Sequence, residues 1–222
     1  MSMPDKCSPE EIIERYLKVH VAAVNDVLRI QHGLLFQSFP SNYRPLQSGM
    51  KLAGFAFTIK GMPSLEIEGE MEKRAEMLEA LPANSVTVWD CTGDTVTAQW
   101  GEVMTMAAKK RGCLGAVVNG VRDTDRVIVQ NFPVFHLYRT SSGMLGRFRM
   151  IGYGMKIMIG EALVSPGDFI FGDDDGIVVI PRHLIMDVLE KAEAILRNEV
   201  MIKNWVAGGM KPAEVVRRGG YF

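Results

Sequence analysis

The segment GEVMTMAAKKRGCLGAVVNGVRD, residues 101 to 123, constrains this chain more than any other. A glycine-opened helix, a strand and an Arg-Asp turn follow one another there without a linker. Val103, Met104, Ala107 and Ala108 recur at helical spacing, Lys109, Lys110 and Arg111 crowd the last turn, and Gly112 ends it. Leu114 to Asn119 is an apolar strand, and Gly120 lets the chain turn so that Arg122 and Asp123 arrive at the strand's carboxyl end, where α/β proteins bind ligands. The free N–H groups from Gly101 to Met104 suit an anion, preferably a carboxylate or phosphate. The Arg-Asp pair reads either as a solvated ion pair in a turn or as a substrate clamp beside a metal ligand.

The same alternation runs along the chain. Ser8-Pro9-Glu10-Glu11 is a helix start with a capping box, and Ile12, Ile13, Tyr16, Leu17, His20, Val24 and Leu28 extend one apolar face to about Ile30, a helical arm over 1–32. Leu52 to Lys60 is a strand with Ala53, Phe55, Phe57 and Ile59 on one side. A charge-dense helix over Glu70 to Leu81, the strand SVTVWD, a short helix in DTDRVIVQNF and the strand PVFHLY follow, which implies right-handed crossovers and parallel pairing. Beyond them KIMIGEALV, FIFG and GIVVIP are closely spaced antiparallel segments, and an amphipathic helix runs from Arg182 to about Val206 before a Gly/Pro-containing tail. The expected fold is α/β, a single domain over 1–222 with a β/β/α core over 50–182 and a C-terminal helix and tail over 182–222.

With 25 basic against 26 acidic residues and no basic stripe, nothing favours nucleic acid as a partner. The longest apolar runs are too short to span a membrane, and MSMPDKCSPE carries no apolar signal region, so the expected compartment is cytoplasmic. Cys7, Cys91 and Cys113 are odd in number and widely spaced, which argues against disulfides and zinc; Cys91 and Cys113 read as small core hydrophobes. The four histidines are scattered, and Gly152-Tyr153-Gly154 lacks the third glycine and the following helix of a nucleotide loop. Asp173-Asp174-Asp175-Gly176 lacks the spacing of a calcium loop and reads as a hairpin turn.

GFAFTIKG, AQWGEVMTMAAKKRGCLGAVVNGVRDTDRV and ALVSPGDFIFGDDDGIVVIPRHLIMDVLEKAEAI resemble the RraA-like family, from about Gly54 to about Ala207. That family includes 4-hydroxy-4-methyl-2-oxoglutarate aldolase and the regulator of ribonuclease activity A. The resemblance implies a swivelling β/β/α domain assembled as a trimer or a dimer of trimers, with sites between subunits. It implies a metal-dependent lyase that cleaves or decarboxylates small 4-carboxy-2-oxo acids, such as 4-hydroxy-4-methyl-2-oxoglutarate and oxaloacetate, to pyruvate through its enolate. Carried over by motif, Asp123 would hold Mg²⁺ or Mn²⁺, Arg122 would bind substrate, and the backbone of Gly101, Glu102, Val103 and Met104 would receive its carboxylate. Glu102 stands where the family usually has aspartate and would hydrogen-bond waters of the metal; the spacing from it to Arg122 is one residue shorter than usual. Glu199 matches a glutamate that reaches a neighbouring subunit's metal waters. The family equally implies two alternatives, a non-enzymatic regulator that binds an RNA-degrading enzyme and a related lyase acting on another sugar acid.

Overall fold

The computed structural model describes residues 7–222. The reading that MSMPDKCSPE carries no apolar signal region falls mostly on 1–6, outside the described residues. No helix among the described residues is long and apolar enough to cross a membrane.

The chain opens with α1 (Pro9–Tyr16) and α2 (Val21–Asp26, continued as a π turn over Val27–Gln31), then β1 (Arg44–Pro45) and β2 (Leu52–Pro63). There follow α3 (Glu70–Glu79), β3 (Ser85–Asp90), α4 (Glu102–Lys110), β4 (Gly115–Val121), α5 (Thr124–Ile128), β5 (Val134–Arg139) and β6 (Phe148–Tyr153). The hairpins β7 (Ile157–Ile159) with β8 (Ala162–Val164) and β9 (Phe169–Asp173) with β10 (Gly176–Ile180) lead to α6 (Ile185–Ala207) and α7 (Pro212–Arg217).

Strands β2, β3, β4 and β5 are parallel neighbours, as right-handed strand-helix-strand units require. The far edge of β2 is shared: β9 pairs antiparallel with Leu52–Phe55 and β6 with Ile59–Pro63. The segment before β2 nearly closes the sheet. Phe39 N donates to Ile177 O at 3.0 Å and Val179 N to Gln37 O at 2.9 Å on the β10 edge, while β1 pairs with β5 on the other. Both edges are thereby covered, and the sheet becomes barrel-like.

Strand parity sorts the core into an inside and an outside. Leu52, Ala56, Val86, Val88, Val117 and Phe135 point into the barrel, where the β7–β8 hairpin packs. Ala53, Phe169, Phe171 and Val178 point outward beneath α1, α2 and α6, and Ile59, Trp89, Ala116 and Val118 point outward beneath α3, α4 and α5. The expected single face of Ala53, Phe55, Phe57 and Ile59 is this outer one, split between two helical layers. Cys91 and Cys113 are buried hydrophobes whose thiol pKa values burial pushes up.

Four details differ from the sequence reading. The helical arm is not continuous: it breaks at Leu17–His20, where Lys51 Nζ caps the Leu17 and Val19 carbonyls at 2.9 Å and Asp173 Oδ2 accepts the Val21 N–H at 2.9 Å. Leu17 and His20 are consequently exposed. The capping box is half made: Ser8 Oγ accepts the Glu11 N–H, but the Glu11 carboxylate takes the Cys7 thiol instead. On α4 the buried positions are Thr105 and Ala108, while Val103 is 75% exposed, because Thr105 is drawn inward by Trp100. Finally, β6 and α7 carry structure where the sequence showed no element, β6 because it borrows the far half of β2 and α7 because it packs on α6. The acidic hairpin turn stands as expected, with Asp174 additionally accepting from Ser48 Oγ and Gly49 N at 3.0 Å.

Candidate active site

At the carboxyl end of β4 the chain before α4 runs alongside the strand. Gln99 N donates to Gly120 O and Arg122 N to Trp100 O, each at 3.0 Å, and Gln99 Oε1 accepts the Gly120 N–H at 2.8 Å. A Cβ on Gly120 would lie 2.1 Å from Thr97 O, so only glycine allows this approach. The crossing is held from behind by a buried polar cluster. Asp94 Oδ2 accepts from Thr97 Oγ1 and Gln99 Nε2 at 2.6 Å and from Tyr138 Oη at 3.1 Å, and Asn119 Nδ2 donates to Asp94 O at 3.0 Å. Burial, and then the Asp94 charge, push the Tyr138 hydroxyl pKa up. The Trp100 indole stacks on Phe132 and donates to Thr105 Oγ1 at 2.9 Å, and Thr105 Oγ1 donates to Gly101 O at 3.0 Å, which fixes the start of α4.

This scaffold brings Gly101, Glu102, Val103, Met104, Arg122 and Asp123 onto the wall of one open cleft of about 500 Å³. Asp123 occupies the left-handed region at φ 53° and is the cap residue of α5, yet its carboxylate makes no cap bond to that helix. An aspartate in that place ordinarily spends its side chain on the helix. Here Oδ2 lies 3.5 Å from the Glu102 N–H and the carboxylate lies 3.4 Å from Arg122 Nε. Gly101 makes room for it: a Cβ there would sit 2.8 Å from Asp123 Oδ2 and 3.1 Å from Arg122 Cγ. Gly143 does the same for the guanidinium, with a Cβ 3.1 Å from Arg122 Nη1. The first internal bond of α4 is Thr105 N to Gly101 O, so the N–H groups of Val103 and Met104 have no acceptor within the helix.

Among the described residues no group of three His, Cys, Asp or Glu is placed to hold a metal. The donors in the cleft are the carboxylates of Asp123 and Glu102. Such a sparse oxygen set fits a hard cation that keeps waters and takes substrate oxygens, and does not fit structural zinc. No histidine lines the cleft. Glu199 lies apart from it in this chain, on α6, where it pairs with Lys203 at 3.1 Å.

One charged lining residue escaped the sequence reading. Arg74, on α3, reaches the same cleft from the opposite wall. Its Nε bonds Glu70 Oε1 at 3.1 Å, and the fully buried Glu70 carboxylate also accepts the Met150 N–H at 3.1 Å. Dense charge pairing is all that the sequence of α3 shows, and only the pairing of β6 with β2, which places Met150 over Glu70, reveals that one of its charged turns faces inward.

The RraA-like family signature, described as Aldolase/RraA, matches residues 21–179. The chain is 31% identical over 204 residues to Protein DlpA of Legionella pneumophila, covering 89% of this chain and 32% of that protein. It therefore spans about a third of that relative's length. It is 28% identical over 187 residues to a Halalkalibacterium halodurans protein provisionally named a 4-hydroxy-4-methyl-2-oxoglutarate aldolase, covering 82% of each. Among solved structures, a chain described under novel cellulases from microbes associated with the gut ecosystem superposes with a TM-score of 0.86, at 39% identity and 90% coverage of both. The mixed, nearly closed sheet with its helical arm and C-terminal helix, and the match across most of its length, place this chain in the RraA-like family, which holds both metal-dependent aldolases and non-catalytic regulators of RNA-degrading enzymes.

Proposed function

We propose that this protein is a divalent-metal-dependent lyase that cleaves small 4-carboxy-2-oxo acids, 4-hydroxy-4-methyl-2-oxoglutarate and oxaloacetate among them, to pyruvate. The observation that carries the reading is the convergence on one cleft of a helix start with free N–H groups, an arginine and an aspartate that leaves α5 uncapped, with Gly101 leaving the room that the carboxylate occupies.

Asp123 would hold Mg²⁺ or Mn²⁺, with Glu102 bonding to its waters. When bound, the cation supplies the Lewis acidity that offsets charge on a 2-oxo acid's carboxylate and keto oxygens. The α4 amides at Val103 and Met104 receive the carboxylate on C1, where the helix dipole favours it. As the C3–C4 bond breaks, its electron pair delocalises onto the keto oxygen, and Arg122 donates to that growing charge. In aldol cleavage the 4-hydroxyl gives its proton to water as C4 becomes a carbonyl, and the proton that completes C3 comes from water in turn, since the cleft offers no histidine. Glu199 completes the site of a neighbouring copy in a trimer or dimer of trimers.

A cellulase reading fits the cleft poorly. Its carboxylates share the walls with Arg122 and Arg74, and its aromatic, Trp100, is stacked inward on Phe132 rather than offered to a neutral sugar. Pyruvate released from 4-hydroxy-4-methyl-2-oxoglutarate with Mg²⁺ or Mn²⁺, abolished by EDTA and restored by added metal, is the expected result. Absence of turnover of both substrates with Mg²⁺, Mn²⁺ or Co²⁺ overturns the proposal.

A further inference from the structure

The structure assigns Arg74 the second carboxylate of the substrate, making it the residue that selects dicarboxylic 2-oxo acids and favours aldol cleavage over decarboxylation; this rests on the reading of the cleft given above. Arg74 and Arg122 line the same cavity from α3 and from the end of β4. Arg74 is pinned by Nε to Glu70, its side chain is 14% exposed, and Nη1 lies against Met104 Sδ at 4.0 Å. Nη2 is buried with no hydrogen-bond partner. Arg74 contributes to the cavity wall although Nη2 itself is shut off from solvent, which leaves Nη1, whose one partner is a thioether sulfur, as the donor for a ligand, and cations so weakly matched are normally given an acceptor. Glu70 meets Arg74 through Nε alone and turns its carboxylate to the Met150 N–H, so it does not partner Nη2. Burial lowers the Arg74 pKa, so the ion gains from an anionic partner.

A small 2-oxo acid with its first carboxylate at α4 and its keto oxygen at Arg122 turns its other end away from both, toward the α3 wall. For aldol cleavage that end is the carboxylate on C4. It departs still charged on the new carbonyl fragment, so a cation paired with it holds ground state and transition state alike. In oxaloacetate decarboxylation the distal carboxylate is bonded to C3 itself: the C3–C4 bond pair passes to C3 and the keto oxygen and the group leaves as neutral CO₂, so a cation paired with its charge opposes the step.

The test uses 2-oxoglutarate, which carries both carboxylates but lacks the hydroxyl that aldol cleavage needs, and 2-oxobutyrate, which lacks the second carboxylate. Calorimetric binding with Mg²⁺ is measured on the wild type, Arg74→Gln, Arg74→Lys and Glu70→Gln/Arg74→Gln, the last avoiding a stranded buried glutamate. The wild type should prefer 2-oxoglutarate by about 10- to 100-fold. The preference should vanish in Arg74→Gln and the double variant, with 2-oxobutyrate affinity unchanged, and should survive in part in Arg74→Lys. The same two glutamine variants should lose 4-hydroxy-4-methyl-2-oxoglutarate cleavage by a similar factor while oxaloacetate decarboxylation holds or rises. No preference in the wild type, or one that persists in both glutamine variants, overturns the role of Arg74 and leaves the metal site standing. Failure of both ligands to bind the wild type overturns both readings together.

Discussion

Gly101→Ala isolates the site from the fold. Gly101 has φ −167°, extended backbone that any residue adopts, so alanine brings no dihedral strain. What it brings is a methyl group 2.8 Å from Asp123 Oδ2, closer by 0.6 Å than ordinary contact at 3.4 Å, and 3.1 Å from Arg122 Cγ. The carboxylate is the end of a short side chain at the surface, so it yields by rotating away. The stability cost is that rotation plus a weaker helix cap, about 1 kcal/mol together. The cost to chemistry is larger, because displacements approaching 1 Å of a positioned group lower rates by about 100-fold. Gly101→Ala should therefore melt within a few degrees of the wild type, bind Mn²⁺ at least tenfold more weakly by titration, and lose about 100-fold in kcat/KM for pyruvate release. Wild-type Mn²⁺ affinity and turnover in a folded Gly101→Ala protein would refute the claim that Asp123 holds the metal from above Gly101.

Other outcomes are equally specific. Asp123→Asn keeps a residue that tolerates φ 53° but removes the charge, so the melting temperature should hold while metal-dependent turnover disappears. Gly120→Ala places a Cβ 2.1 Å from the Thr97 backbone oxygen and should destabilise the protein by about 3 kcal/mol in urea, far more than Gly101→Ala. Tyr138→Phe leaves Asp94 Oδ2 with one donor fewer in a buried cluster and should cost about 1 to 2 kcal/mol by the same measure. His136 is buried with neither ring nitrogen bonded, and burial, helped by the Arg139 charge, drops its pKa from 6.5 to about 4. The unfolded chain then binds the proton first as pH falls, so stability present above pH 6.5 is lost toward pH 4. The loss between pH 7.5 and 5 should be about 2 kcal/mol in the wild type and absent in His136→Leu, read from urea midpoints.

The strands and helices that make their own case locally were legible in the sequence. SVTVWD and the segment from Gly101 to Asp123 announce themselves by period, by charge in a last turn and by glycine stops. What closes the sheet is not local. Arg44–Pro45 is two residues long, and Phe39 bonds Ile177 and Val179 bonds Gln37 across more than half of the chain's length, so no window of sequence contains the signal. The break in the N-terminal arm has the same origin. An aspartate in the β9–β10 hairpin supplies the acceptor for Val21, and periodicity cannot see a cap that arrives from residue 173. Arg74 was hidden in a charge-dense helix, because its burial depends on Glu70 meeting the amide of Met150.

The Arg122–Asp123 pair also shows why a site can be hard to distinguish from a surface turn. Its side chains are 46% and 37% exposed and 3.4 Å apart, a geometry worth about 0 to 1 kcal/mol at most in stability. Against that stand a non-glycine residue in the left-handed region, a helix cap left unmade and a buried cluster around Asp94 that must be fully satisfied to be tolerated. A turn selected for stability would cap α5 with Asp123 and let a side chain fill the space above Gly101. Here the chain turns the carboxylate away from α5, and two glycines, Gly101 and Gly143, leave room around the pair. The local sequence Arg-Asp fits either account; the uncapped α5 and the room that Gly101 leaves for the carboxylate favour the functional one.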